Sequence, residues 1–329
     1  MRRALLAAAT LSALQAAPAG SAEKLEADRL DRDDWLVWGS VSAERQPDGN
    51  SLVMTGPKGA IVFDTGRHKD HSDTIEAVLK QAGKPLVAIV NSHWHLDHVS
   101  GNLRLKAAHP GVAAWSSDAI DGALTGFLKR GAERNRAAIS GGKLSPAELE
   151  EARAAVATFE AGDGLKPDHV VRESGPVTLA GRKFDLHLAH NAATEGDVWL
   201  YDAAHKRAIV GDLVTFPAPF LDTACPEGWK AALAEVEATP FTSLVPGHGP
   251  VMDRIAFARW RKAFTAFVDC GEGGGPIEAC AEGWTAYAGS VRLEGTGVYT
   301  GAIPAYADYY ARLLRGGTLK ANCAKGAAA

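Results

Sequence analysis

Three imidazoles and a carboxylate fall within six residues, His93-Trp94-His95-Leu96-Asp97-His98, directly after the apolar run Pro85-Leu86-Val87-Ala88-Ile89-Val90. A short apolar run rich in β-branched residues predicts a buried strand. Any fold of this chain must therefore let the end of one strand deliver a cluster of ligands. The chain holds 11 His in all, so three of them in six residues call for a chemical explanation. Neutral imidazole and carboxylate suit borderline divalent metals such as zinc. A loop leaving a strand can aim several of them at one point without helical periodicity.

Three further short motifs follow strand-like runs. Asp64-Thr65-Gly66 follows Ala60-Ile61-Val62-Phe63, Gly211-Asp212 follows Arg207-Ala208-Ile209-Val210, and Pro246-Gly247-His248-Gly249 follows Ser243-Leu244-Val245. Each alone reads as an ordinary turn. Together with the His cluster, and in this order, they resemble the metallo-β-lactamase superfamily, whose signature His-x-His-x-Asp-His follows a β-strand. The resemblance covers about residues 35 to 255. It implies an α/β fold, an αββα sandwich of two mixed β-sheets flanked by helices, with a metal site at one edge between the sheets.

Residue by residue, the resemblance implies His93 and His95 for a first metal site, and Asp97 and His98 for an adjacent one. It adds His248 as a ligand, Asp212 as a carboxylate able to bridge two metals, and Asp64 as a support behind the metal-binding loop. The pattern breaks at one point. The family supplies one more His three residues before the Gly of a Gly-Asp pair, and counting back from Gly196-Asp197 reaches Ala193. Two readings stay open. Either His190, three residues earlier, replaces the missing ligand, or the first site is weakened and the metal is held by Asp97, His98 and His248, with Asp212. The remaining His, at 68, 71, 109, 169, 187 and 205, have no motif context and read as structural or surface residues.

Elsewhere the chain alternates strands with helices. Strands are expected at 35–41, 50–54 and 60–63, then a helix over 70–82, a short helix over 101–109 and a strand at 112–115. Residues 118–161 read as a largely helical insertion, with Ile120, Leu124, Phe127 and Leu128 on one stripe and Leu149, Ala152, Val156 and Phe159 on another. It is either a cover for the active site or a structural hairpin. Strands return at 177–179, 183–188, 197–201 and 207–210, followed by a helix over 227–238. A C-terminal helical extension over about 255–329 carries Phe257, Trp260, Phe264 and Phe267 on one face, a core pattern.

Arg2-Arg3, a mostly apolar stretch to Ala17, and small residues ending in Gly20-Ser21-Ala22 read as a signal peptide over 1–22, leaving a single domain over 23–329. The apolar stretch is shorter than the roughly 20 residues of a spanning helix. Export to the periplasm or the medium is expected, with no stable membrane insertion once the leader is removed. In that setting Cys225, Cys270, Cys280 and Cys323 can form disulfides. Of three pairings, Cys270 with Cys280 is favoured by the Gly-rich turn between them, leaving Cys225 with Cys323.

A net charge of -4 gives no electrostatic case for nucleic acid, so small-molecule chemistry is expected. The reading is an exported zinc hydrolase with one or two ions, Asp97 orienting the nucleophile, acting on an ester, lactone, thioester or related substrate. Two alternatives are kept: a weakly active or non-catalytic metal-binding accessory protein, motivated by Ala193, and a β-lactamase.

Overall fold

A computed structural model describes residues 27–323; the expected leader at 1–22 and the tail beyond Cys323 lie outside the described residues. The first half forms β1 (Ala27–Arg29), β2 (Asp34–Val37), β3 (Ser51–Gly56), β4 (Gly59–Phe63), α1 (Lys69–Ala82), β5 (Leu86–Val90), α2 (Leu96–Val99), α3 (Asn102–Ala108) and β6 (Ala113–Ser116). The helical insertion is α4 (Ala119–Thr125), α5 (Phe127–Gly141) and α6 (Pro146–Glu160), followed by the short β7 (His169–Val170). The second half forms β8 (Gly175–Leu179), β9 (Arg182–His190), β10 (Gly196–Asp202), β11 (Arg207–Gly211), α7 (Pro226–Ala238) and β12 (Ser243–Pro246). The extension adds α8 (Arg254–Glu272), α9 (Ile277–Gly289), α10 (Ile303–Arg315) and α11 (Lys320–Cys323).

The strands make two mixed sheets, one ordered β1-β2-β3-β4-β5-β6-β7 and the other β12-β11-β10-β9-β8. In the first, β1 to β4 pair antiparallel and β4 to β7 parallel, because α1, α3 and the insertion return the chain to the same end each time. Side chains alternate across the pleat. Leu52, Met54, Ile61, Phe63 and Val90 point inward onto Leu186, Leu188, Val198, Leu200 and Ile209 of the second sheet. Val53, Val62 and Ile89 point outward onto Ile75, Val78 and Leu79 of α1. The outer face of the second sheet, with Trp199 and Val210, packs on Trp229 of α7, Phe257, Trp260 and Phe264 of α8, Trp284 of α9 and Tyr310 of α10. The result is the expected αββα sandwich.

Two details differ from the sequence reading. The first strand stops at Val37, and the segment to Val41 keeps only isolated bridges, Ser40 to Asp48 and Val41 to Val298. The stripe through Ile120, Leu124, Phe127 and Leu128 is interrupted at Gly126, whose φ of -115° and ψ of -100° separate α4 from α5. Ile120 and Leu128 are buried, but Phe127 is 36% exposed. On α6 only Ala152 is fully buried, so this helix lies on the surface of the molecule. Pro146 occupies its first turn as expected, behind a Ser145–Glu148 capping box. Both favoured disulfides are present, Cys225 with Cys323 and Cys270 with Cys280.

Candidate metal centre

The site lies where β4, β5, β11 and β12 end, at one edge of the sandwich. At the end of β4, Asp64 has φ of 56°, a left-handed conformation that turns its carboxylate back under the loop after β5. There Oδ1 accepts the backbone N–H of Ser92 at 2.7 Å, and Oδ2 accepts the Ser92 hydroxyl at 2.7 Å and His98 Nδ1–H at 2.8 Å. The Ser92 hydroxyl has one proton, which is given to Asp64, so its 2.8 Å contact with His93 Nδ1 has the imidazole as donor. Asp64 therefore sets the tautomer of both rings, directly for His98 and through Ser92 for His93. Each ring is left with its Nε2 facing inward, away from these partners.

Those nitrogens converge. Asp212 stands between them, with His98 Nε2 at 3.3 Å from Oδ1 and His93 Nε2 at 3.7 Å from Oδ2. His248 Nε2 is 3.1 Å from Asp97 Oδ2 and 3.6 Å from Asp212 Oδ1, and His98 Nε2 is 3.6 Å from Asp97 Oδ2. Two overlapping groups result, His93 with His98 and Asp212, and Asp97 with His98 and His248, each gathered within 4.8 Å. Gly211 and Gly247 make the approach possible. A Cβ on Gly247 would lie 2.0 Å from Asp212 Oδ1, and one on Gly211, at φ 52°, would lie 2.4 Å from Ser92 Cβ.

The donor set fits a cation. The Nε2 atoms of His93, His98 and His248 and both oxygens of Asp212 are buried without a hydrogen-bond partner. Five orphaned polar atoms in one spot are costly unless something satisfies them, and imidazole nitrogens with carboxylate oxygens are the donors that hold divalent ions. The electrostatics agree. Burial pushes the His93 imidazole well below its ordinary pKa, aided by repulsion from His98 and His95, so it is neutral and able to donate a lone pair. Burial pushes Asp212 and Asp97 up, but the neighbouring His98 and His248 outweigh it and hold both carboxyls ionised. Burial alone would discharge His98; the carboxylates of Asp212, Asp64 and Asp97 outweigh it and raise the ring, a negative field that a bound cation would equally satisfy.

The remaining expected residues divide. His95 sits beside His93, ring centroids 4.4 Å apart, but belongs to neither group. Its Nε2 is 2.9 Å from the hydroxyl of Thr223. His190 ends β9 exposed and is in no ligand group among the described residues. Ala193 is 1% exposed in a turn fixed by Asp197, which accepts from Thr194 N–H at 2.9 Å and Thr194 Oγ1–H at 3.1 Å.

Next to the metal loop lies a cavity of about 590 Å³. Trp94 and Thr223 wall it on the loop side, Phe127 and Arg130 on the insertion, and Leu188 and His190 on β9. Trp94 projects away from the ligands into the small core with Ile120 and Leu128, and its indole N–H donates to Glu195 at 3.1 Å. The insertion is thus one wall of a cavity beside the His93–His98 loop, lined by none of the grouped ligands, as well as a packed hairpin.

Several contributors escaped the sequence reading. Asn50 clamps the His248 loop, donating through Nδ2 to the carbonyls of Pro246 at 3.1 Å and Gly249 at 3.0 Å. Phe220 sets its ring edge-on to His248 at 5.6 Å. Ser92 and Thr223 orient imidazoles. Only Ser92, adjacent to the motif, left a signal in the sequence; the others lie far along the chain in unremarkable polar or apolar contexts.

A family model of the metallo-beta-lactamase superfamily matches residues 45–256. A linear primary-alkylsulfatase from Pseudomonas sp. (strain ATCC 19151) is 28% identical over 225 residues, 61% of this chain and 42% of the relative. A hydroxyacylglutathione hydrolase from Synechococcus sp. (strain JA-3-3Ab) is 46% identical over 48 residues, 15% of this chain and 19% of the relative. The chain thus spans less than half the length of these relatives. Among solved structures, a metallo-beta-lactamase from Pontibacter korlensis superposes with a TM-score of 0.54 at 18% identity, covering 73% of this chain and 99% of that one. The DIM-1 metallo-beta-lactamase gives 0.51 at 14% identity, covering 74% and 98%. At these identities the likeness is one of fold.

Proposed function

Given that the chain belongs to the metallo-beta-lactamase superfamily, we propose that it is an exported, zinc-dependent hydrolase of a small ester-like substrate. The observation that carries this is the set of buried, partnerless Nε2 atoms of His93, His98 and His248 around the partnerless carboxylate of Asp212. Asp97, His98, His248 and Asp212 would hold one ion, and His93, with His95, would contribute to a second. A bound zinc supplies Lewis-acid polarisation of the electrophile and lowers the pKa of water towards neutrality.

The chain's own groups do the rest. Asp64 holds His98 and His93 in the tautomers that turn Nε2 inward. Asp97 faces His248 with one oxygen and is 7% exposed, which suits it to orient the attacking water. The adjacent cavity is large enough for a small substrate. Its Trp94, Phe127 and Leu188 would pack an apolar body, while its charged lining is mixed, Arg130 and Arg172 with Asp118, Glu195 and Asp222. The names of the two curated relatives support an ester-like class, sulfate ester or thioester, without choosing between them.

The test is elemental analysis of the purified mature protein, followed by a panel of 4-nitrophenyl ester, thioester, lactone, alkyl sulfate and β-lactam with zinc added. Turnover of at least one member, abolished by chelation and by His248→Ala, is the expected result. Tight zinc binding with no turnover on any member would instead favour the accessory role, the reading that Ala193 motivates. No bound metal and no turnover would sink both.

A further inference from the structure

Thr223 lies on the loop between β11 and α7 and is 6% exposed. Its hydroxyl donates to the carbonyl of Ala193 at 2.9 Å. A threonine hydroxyl has a single proton, so the 2.9 Å contact with His95 Nε2 has the imidazole N–H as donor. His95 is thereby fixed with Nε2 protonated, and Nδ1 is its lone-pair nitrogen. The carbonyl that anchors this arrangement belongs to Ala193, the residue standing where the resemblance placed an imidazole.

The loop around Thr223 is fastened on both sides. Towards the strand end, Cys225 N–H donates to Ala192 O at 2.9 Å, and Gly228 abuts Asn191 so closely that a Cβ would lie 1.9 Å from its carbonyl oxygen. Towards the C-terminal extension, Asp222 accepts from the hydroxyls of Tyr309 at 2.7 Å and Tyr310 at 2.9 Å. Asn322 Nδ2 donates to Ala224 O at 3.1 Å, and Cys225 is bonded to Cys323. Four consecutive residues, Asp222 to Cys225, are thus tied down, and the one among them that reaches the metal loop is Thr223.

We propose that Thr223 is a positioning residue for His95: held by α10, α11 and the Cys225–Cys323 disulfide, it fixes the tautomer and direction of a ring left without a neighbouring third imidazole. Its contribution to metal binding rests on the hydrolase reading above. The hydrogen bond on the far side of a metal-ligating imidazole is typically worth 10- to 100-fold in affinity. On this proposal the extension, which contributes no ligand, sets the quality of the half-site at His93 and His95.

Three forms of the full mature protein test this: wild type, Thr223→Val, which keeps the shape and loses the hydroxyl, and Thr223→Ser, which keeps the hydroxyl. In the metal-free proteins, nitrogen-15 two-bond correlation spectra should find His95 as the Nε2–H tautomer in wild type and Thr223→Ser, and as a mixture in Thr223→Val. Cobalt(II) titration followed by its visible absorption should then give Thr223→Val a loss of about 10- to 100-fold in affinity for the weaker-bound ion, restored by Thr223→Ser. An unchanged tautomer in Thr223→Val overturns the proposal, and so does a loss that Thr223→Ser fails to restore. A wild type that takes up no cobalt at all would overturn the metal reading, while the tautomer measurement would still decide the role of Thr223.

Discussion

Asp64 is the residue through which most of the candidate centre is organised, although it is not among its ligands. One carboxylate accepts three donors and fixes two imidazoles, so replacing it by an amide of the same size exchanges an acceptor for a donor facing Ser92 and His98. Asp64→Asn should weaken zinc binding by about 10- to 100-fold, read by competition with a fluorescent chelator; unchanged affinity would remove Asp64 from the site. His190 is the opposite case. It lines the cavity but lies in neither ligand group. His190→Ala should therefore leave the metal content per chain unchanged and alter KM more than kcat on whichever panel substrate is turned over. A fall from two metals to one would instead establish that it replaces the missing ligand.

Between elements, the contact that most repays attention joins the surface helix α6 to the body. His68, just before α1, places Nδ1 at 2.6 Å from the buried Asp48 and Nε2 at 2.9 Å from Glu151 on α6. Arg45 lies against the same Asp48 at 2.8 Å and against Asp70 at 2.9 Å. Only the imidazolium can donate to both carboxylates at once. Burial depresses the His68 pKa, but its hydrogen bond to Asp48 and that carboxylate's charge outweigh it, and the ring is raised above its ordinary value. A folded pKa above the unfolded one means that the imidazolium stabilises the native state fully below about pH 6.5. That contribution is lost as pH rises through the raised folded value. Amide exchange in α6 should accordingly quicken over this window in the wild type, beyond the base catalysis of exchange itself, and His68→Gln should show no such step. Identical pH profiles in the two would refute the tether.

For the molecule as a whole, the two disulfides differ in reach. Cys225 and Cys323 are 98 residues apart, against 10 for Cys270 and Cys280. By loop-closure entropy, a bridge of the longer kind stabilises by about 4.7 kcal/mol and one of the shorter by about 2.7 kcal/mol. Calorimetry of the paired Cys→Ser variants should show the larger fall in Tm for Cys225/Cys323; the reverse order would mean that the extension stays docked without its bond. At the other end of the strands from the candidate metal centre, Arg182 on β9 pairs with Asp34 on β2 at 2.5 Å and with Asp202 on β10, and Arg207 on β11 also reaches Asp34. The sheets are thus joined by buried charge at one end and by the ligand loops at the other. What the sequence determined by itself is local in origin. The apolar runs predicted the strands, and each ligand follows its strand and turn directly in the chain; the αββα fold and the gathering of His93, Asp97, His98, Asp212 and His248 were implied by the resemblance of these motifs to a known family. The tertiary structure alone decided what depends on segments far apart in sequence. It brought Thr223 onto His95 across 128 residues, Asn50 onto the loop of His248 across some 196, and His68 onto Glu151 across 83. It also left His190 outside the ligand groups, since the direction of a side chain at a strand end is set by the packing around it and no local pattern encodes that packing.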